Sequence, residues 1–143
     1  MSITDATNGD EVNETVLAIV GGVSAVMHVV VFTIIGELAL EDPIYGAVAG
    51  VLAGVGAFLF LPWFLHVSAL QQADAEDVTF ATVVDRVPGS TRLAVFGLGL
   101  EAGGIAMIAV GLALDEAALL IGAGAGLVLA VSVFLVASVL LDR

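Results

Sequence analysis

The sequence predicts an all-α, polytopic membrane protein with four transmembrane helices arranged as two antiparallel hairpins. Three observations predict it. Of the 143 residues, 60% are apolar, and the mean hydropathy is +1.16, whereas a water-soluble domain of this length must cover itself with polar side chains. Four stretches are each long enough to cross a bilayer core, which takes roughly 20 mostly apolar residues at 1.5 Å rise per residue. The breaks between the first and second and between the third and fourth are too short for anything but hairpins.

The first span covers residues 15–40. It follows an acidic tail, residues 1–14, carrying Asp5, Asp10, Glu11 and Glu14 and no basic residue. A secretory signal begins with a positive region, so the first apolar run is expected to stay in the mature protein. Glu41-Asp42-Pro43 separates it from the second span, 44–70, and proline there suits the first turn of a new helix. The third span covers 91–114 and the fourth 117–141, with Asp115 and Glu116 as the turn between them.

The middle loop, 71–90, is the one long polar connection. Asp74 or Asp77 can cap a short helix, Phe80, Val83, Val84 and Val87 fall on one face, and Pro88-Gly89 ends it. We expect an amphipathic connector packed under the bundle; a helix lying in the membrane interface is the alternative, although its acidic face would suit lipid poorly.

Arginine sets the expected orientation. Arg86 lies in the middle loop, Arg92 starts the third span and Arg143 ends the chain. All three fall on the side of the N-terminus, so the positive-inside tendency places both termini and this loop in the cytoplasm of a multi-pass cell-membrane protein.

The hairpins resemble each other. TVLAIVG at 15–21 aligns with TRLAVFG at 91–97, and LALED at 38–42 with LALDE at 112–116. The pattern suggests an internal duplication with parallel halves, as some transporters show.

Composition excludes several classes. There are 15 Asp and Glu against 3 basic residues, with no lysine, so the phosphate-neutralising clusters that nucleic acid requires are missing. With no cysteine, disulfides, thiol chemistry and thiolate-held metals are excluded. The chain carries no HExxH, phosphate loop or GxSxG, and GLGLEAGG lacks the preceding strand of a nucleotide site, so no enzyme is expected. An acidic chain rich in Ala, Val and Gly resembles proteins of halophilic archaea in composition; in molar salt, with a Debye length of about 3 Å, its negative charges repel one another only weakly.

Small residues mark the packing faces. Gly46, Gly50 and Gly54 recur every fourth residue in the second span, Gly122 and Gly126 do so in the fourth, and Gly97, Glu101, Gly104, Ile108 and Gly111 share one face of the third. Lipid tails are as apolar as leucine, so helices in a membrane associate through close backbone contact. Tight packing within the chain or between protomers is the expected use, a glycine-lined substrate path the alternative.

Three ionisable residues interrupt the oil. From the span ends, His28 lies about 18 Å and Glu101 about 14 Å into the bilayer from the same side, and His66 about 6 Å. In the repeat alignment Glu101 falls opposite Ala25, one turn from His28. A lone carboxylate at that depth is costly, and we expect a Glu101–His28 hydrogen bond or ion pair, with Ser24 one turn away able to join. The alternative is a neutral Glu101 satisfied by a backbone carbonyl or a serine. A haem held by His28 and His66 is disfavoured, because their depths differ by roughly 12 Å, and no cofactor is expected.

The sequence therefore predicts a small structural or accessory membrane protein, surrounded by lipid and working through helix packing as a homo-oligomer or within a larger membrane complex. The rival is a small proton- or cation-coupled transporter or channel that uses Glu101 and His28.

Overall fold

Helix α1, Glu14–Leu40, starts where Asn13 turns its side chain back onto the amides of Thr15 and Val16, at 2.9 and 3.4 Å. Those amides have no partner inside the helix, and asparagine supplies one. The helix ends at Glu41, which takes a left-handed conformation (φ 55°), so that the Asp42 amide donates to the Gly36 carbonyl at 3.0 Å. The Asp42 carboxylate then accepts from the amides of Ile44 and Tyr45, at 3.0 Å each, and Pro43 opens α2. One three-residue break thus closes one helix and caps the next.

The structure is a computed structural model that describes residues 13–73, 87, 90–114 and 118–141. Helix α2 is Pro43–Ala73, α3 is Thr91–Leu114 and α4 is Leu119–Leu141. All four are long and apolar enough to cross a membrane. Helix α2 runs three residues past the expected end, and Pro62 lies inside it. The fourth helix begins at Leu119 rather than 117; Ala118 precedes it, and its carbonyl accepts from the Gly122 amide at 2.9 Å. Ser90 caps α3 through its hydroxyl, which accepts from the Leu93 amide at 3.3 Å. The connector helix expected within 71–90 lies outside the described residues, except that Val87 is buried against Val67, Trp63 and Leu70.

The helices pack antiparallel, each on its neighbour in the chain: α1 on α2, α2 on α3, α3 on α4. Helix α1 touches α3 only lightly. The central pair is therefore α2 and α3, each with 44% of its spanning window buried, against 6% for α1 and 11% for α4. This open arrangement follows from composition. Every helix is oily all round, so no polar stripe tells it which side to turn inward.

The interior is thin and built from small residues. Ala49, Ala53, Ala57, Tyr45 and Met107 are buried, while Leu38, Ile44 and Leu120 are among the large side chains that point outward. Large apolar groups gain nothing by leaving lipid for protein, and small ones let backbones approach, so this inversion of a soluble core is what membrane packing produces.

Candidate functional site

The glycine faces build the scaffold. Along α2, Gly46 lies against the Phe32 carbonyl and Gly36, Gly50 against Val29, and Gly54 against Ala25, all on α1. On its other face α2 meets α3, where Gly97 abuts Gly56 and Leu59, and Gly104 abuts Ala49 and Ala53. Gly126 of α4 abuts the Gly103 carbonyl. At each of these glycines an added Cβ would come within 3.0 Å of a neighbouring helix's backbone. Gly111 and Gly122 differ, since they make room for side chains, Tyr45 at both and Leu40 as well at Gly111.

Three glycines in these contacts lie outside the expected packing set, although Gly99 and Gly103 are themselves four residues apart. Gly56 falls outside the Gly46–Gly50–Gly54 register, yet a Cβ there would collide with the Glu101 backbone. Gly99 and Gly103 of α3 lie against the carbonyls of Ala130 and Gly126 on α4. Helix α3 is thus glycine-lined on two faces, one for α2 and one for α4.

Tyr45 is the other residue missed. It is 1% exposed, and its hydroxyl donates to the Met107 carbonyl at 2.5 Å. The signal was available in the sequence: the chain's single tyrosine, placed just inside an apolar run, needs a partner for its hydroxyl.

The close α2–α3 approach brings Glu101 to the seam between α1 and α3. His28 Nε2 lies 3.6 Å from Glu101 Oε1, and each side chain is 24% exposed. That separation is an ion-pair contact, longer than a hydrogen bond. His28 Nδ1 lies 2.8 Å from the Ser24 carbonyl. A carbonyl only accepts, so Nδ1 carries a proton and Nε2 is the nitrogen whose proton varies. Ser24 engages the imidazole through its backbone, not its hydroxyl. The Phe32 ring meets the imidazole edge-on at 5.8 Å.

This arrangement defines what the pair can do. With one proton between them, the two groups are either imidazolium and carboxylate or imidazole and carboxylic acid, and both forms are neutral overall. A neutral pair avoids the large cost of a lone charge at this depth.

His66 stands apart from His28. It lines a cavity of about 280 Å³ between the ends of α1, α2 and α3 on the side of the chain termini, together with Glu14, Trp63 and Ser90. Among the described residues, no hydrogen bond or salt bridge links His66 to Glu14 or Ser90. No group of three or more His, Asp or Glu among the described residues could hold a metal ion.

Fold and contacts together define a four-helix polytopic membrane protein with an ionisable contact within its spanning region. No protein-family model, characterised protein or solved structure matches the chain.

Proposed function

We propose that the chain is a structural or accessory membrane protein that acts through helix packing, as a homo-oligomer or as a subunit of a larger complex, and that it catalyses no reaction. The observation that carries this reading is where its polar atoms go. Thr33 donates to the Val29 carbonyl at 2.6 Å, Ser132 to the Val128 carbonyl at 2.7 Å and Tyr45 to the Met107 carbonyl. These three hydroxyls bond to helix backbone, which supports a packing role. Both termini are assigned to the cytoplasm, because all three arginines belong to that side. Cross-linking in native membranes tests the reading: a discrete higher-mass species is expected, and a chain recovered only as a monomer overturns it.

A second reading, proton- or cation-coupled transport, is favoured by one observation, the His28–Glu101 contact. A side-chain pair that keeps net neutrality while its proton shifts is suited to proton handling at the seam of two helices, and an oligomer interface would supply the path. Flux into liposomes that is lost in Glu101→Gln supports it, and absence of flux in the native protein ends it.

A further inference from the structure

We propose that the cavity among the ends of α1, α2 and α3 is a binding site for small lipophilic organic cations, a role separate from the packing reading above. The cavity exists because α1 and α3 hardly touch. Where no contact draws these two helices together, α2 forms the floor of an open cleft between them. That floor presents Phe58, Pro62, Trp63 and His66, and Glu14 and Ser90 stand on the two walls. From Phe58 to His66 it extends about 12 Å along the helix. A volume of about 280 Å³ lies at the small end of ligand sites, suited to a single substituted ring rather than a whole lipid.

The chemistry of the lining selects the sign of the charge. Glu14 brings a full negative charge to one wall, and no arginine among the described residues lines the cavity. Trp63 and Phe58 add aromatic faces, whose quadrupoles attract cations, most of all alkylammonium groups that shed water easily. The helix ends leave this sign in place. The N-termini of α1 and α3 bring about half a positive charge each, but it is spread over amides that Asn13 and Ser90 already cap, whereas the Glu14 carboxylate is a discrete charge that a ligand can contact. The apolar part of the ligand meets Pro62 and the leucines around it, away from water.

The chain supplies its own reporter, because Trp63 is its only tryptophan. The full-length protein in a non-ionic detergent is titrated with benzyltrimethylammonium, with its uncharged isostere neopentylbenzene and with the anion benzenesulfonate, while Trp63 emission is read. The cation is expected to give a saturable change, the neutral compound to bind at least tenfold more weakly and the anion to give none. Glu14→Gln should weaken the cation at least tenfold. Ala18→Phe, which fills the cavity from the α1 wall, should weaken it to a similar degree. Glu37→Gln, which removes a carboxylate at the opposite end of α1, should leave the affinity unchanged and so separates a site from general attraction to an acidic protein. Equal responses to the three compounds, no response to the cation, or native affinity in either cavity variant overturns the proposal.

Discussion

His28 on α1 and Glu101 on α3 approach to 3.6 Å across a seam where their helices otherwise hardly meet. Two unit charges at that distance attract by about 4–5 kcal/mol at an effective dielectric constant of 20, before the cost of desolvating them is subtracted. The net coupling is expected to be far smaller. In a double-mutant cycle with His28→Ala and Glu101→Ala, measured by unfolding in mixed micelles, the two losses should fall short of additivity by about 1 kcal/mol. Additive losses would mean that the residues do not act on each other.

The glycines should divide sharply by what they face. An added Cβ at Gly56 meets the Glu101 and Gly97 backbones, whereas at Gly22 and Gly124 it meets nothing within 4 Å. Gly56→Leu should therefore abolish the folded form in detergent, while Gly22→Leu and Gly124→Leu leave it intact. Proteolytic sensitivity reads the difference, and equal tolerance at all three positions would refute the α2–α3 contact.

Tyr45→Phe removes the hydrogen bond to Met107 and keeps the ring. It should destabilise the protein by about 1 kcal/mol, the usual net value of such a bond. Tyr45→Ala also opens a cavity and should cost about 3–5 kcal/mol, as for other large aromatic truncations. Thermal unfolding in detergent checks the order of the two.

Orientation is accessible because the native chain has no cysteine. Gln72→Cys and Glu37→Cys place single thiols at exposed positions near opposite ends of the spans. A membrane-impermeant maleimide added to intact cells should label the Glu37→Cys variant alone, and both variants after permeabilisation. The reverse pattern would place the termini outside.

The fold class was legible because length and oiliness decide it: four long apolar runs leave a chain few options besides spanning helices. The break at Glu41-Asp42-Pro43 was legible because proline suits the first turn of a helix; the Asp42 cap is what the structure adds. Counting residues from the span ends put His28 and Glu101 at similar depth, and the structure brings their side chains together. What could not be read was which helix faces which. With no polar side to point away from the core, spacing alone could not show that α3 turns Gly97 and Gly104 to α2 but Gly99 and Gly103 to α4. Gly56 was hidden for the same reason, since a register only marks the face that repeats.

Packing in chain order also governs how the molecule can be made. Each helix finds its principal partner in the one synthesised just before it, so no element has to wait for a distant segment to appear. A growing chain can dock α2 on α1, α3 on α2 and α4 on α3 as each enters the bilayer. The Tyr45 side chain, seated between Gly111 and Gly122, is then the latch that only the last helix can close.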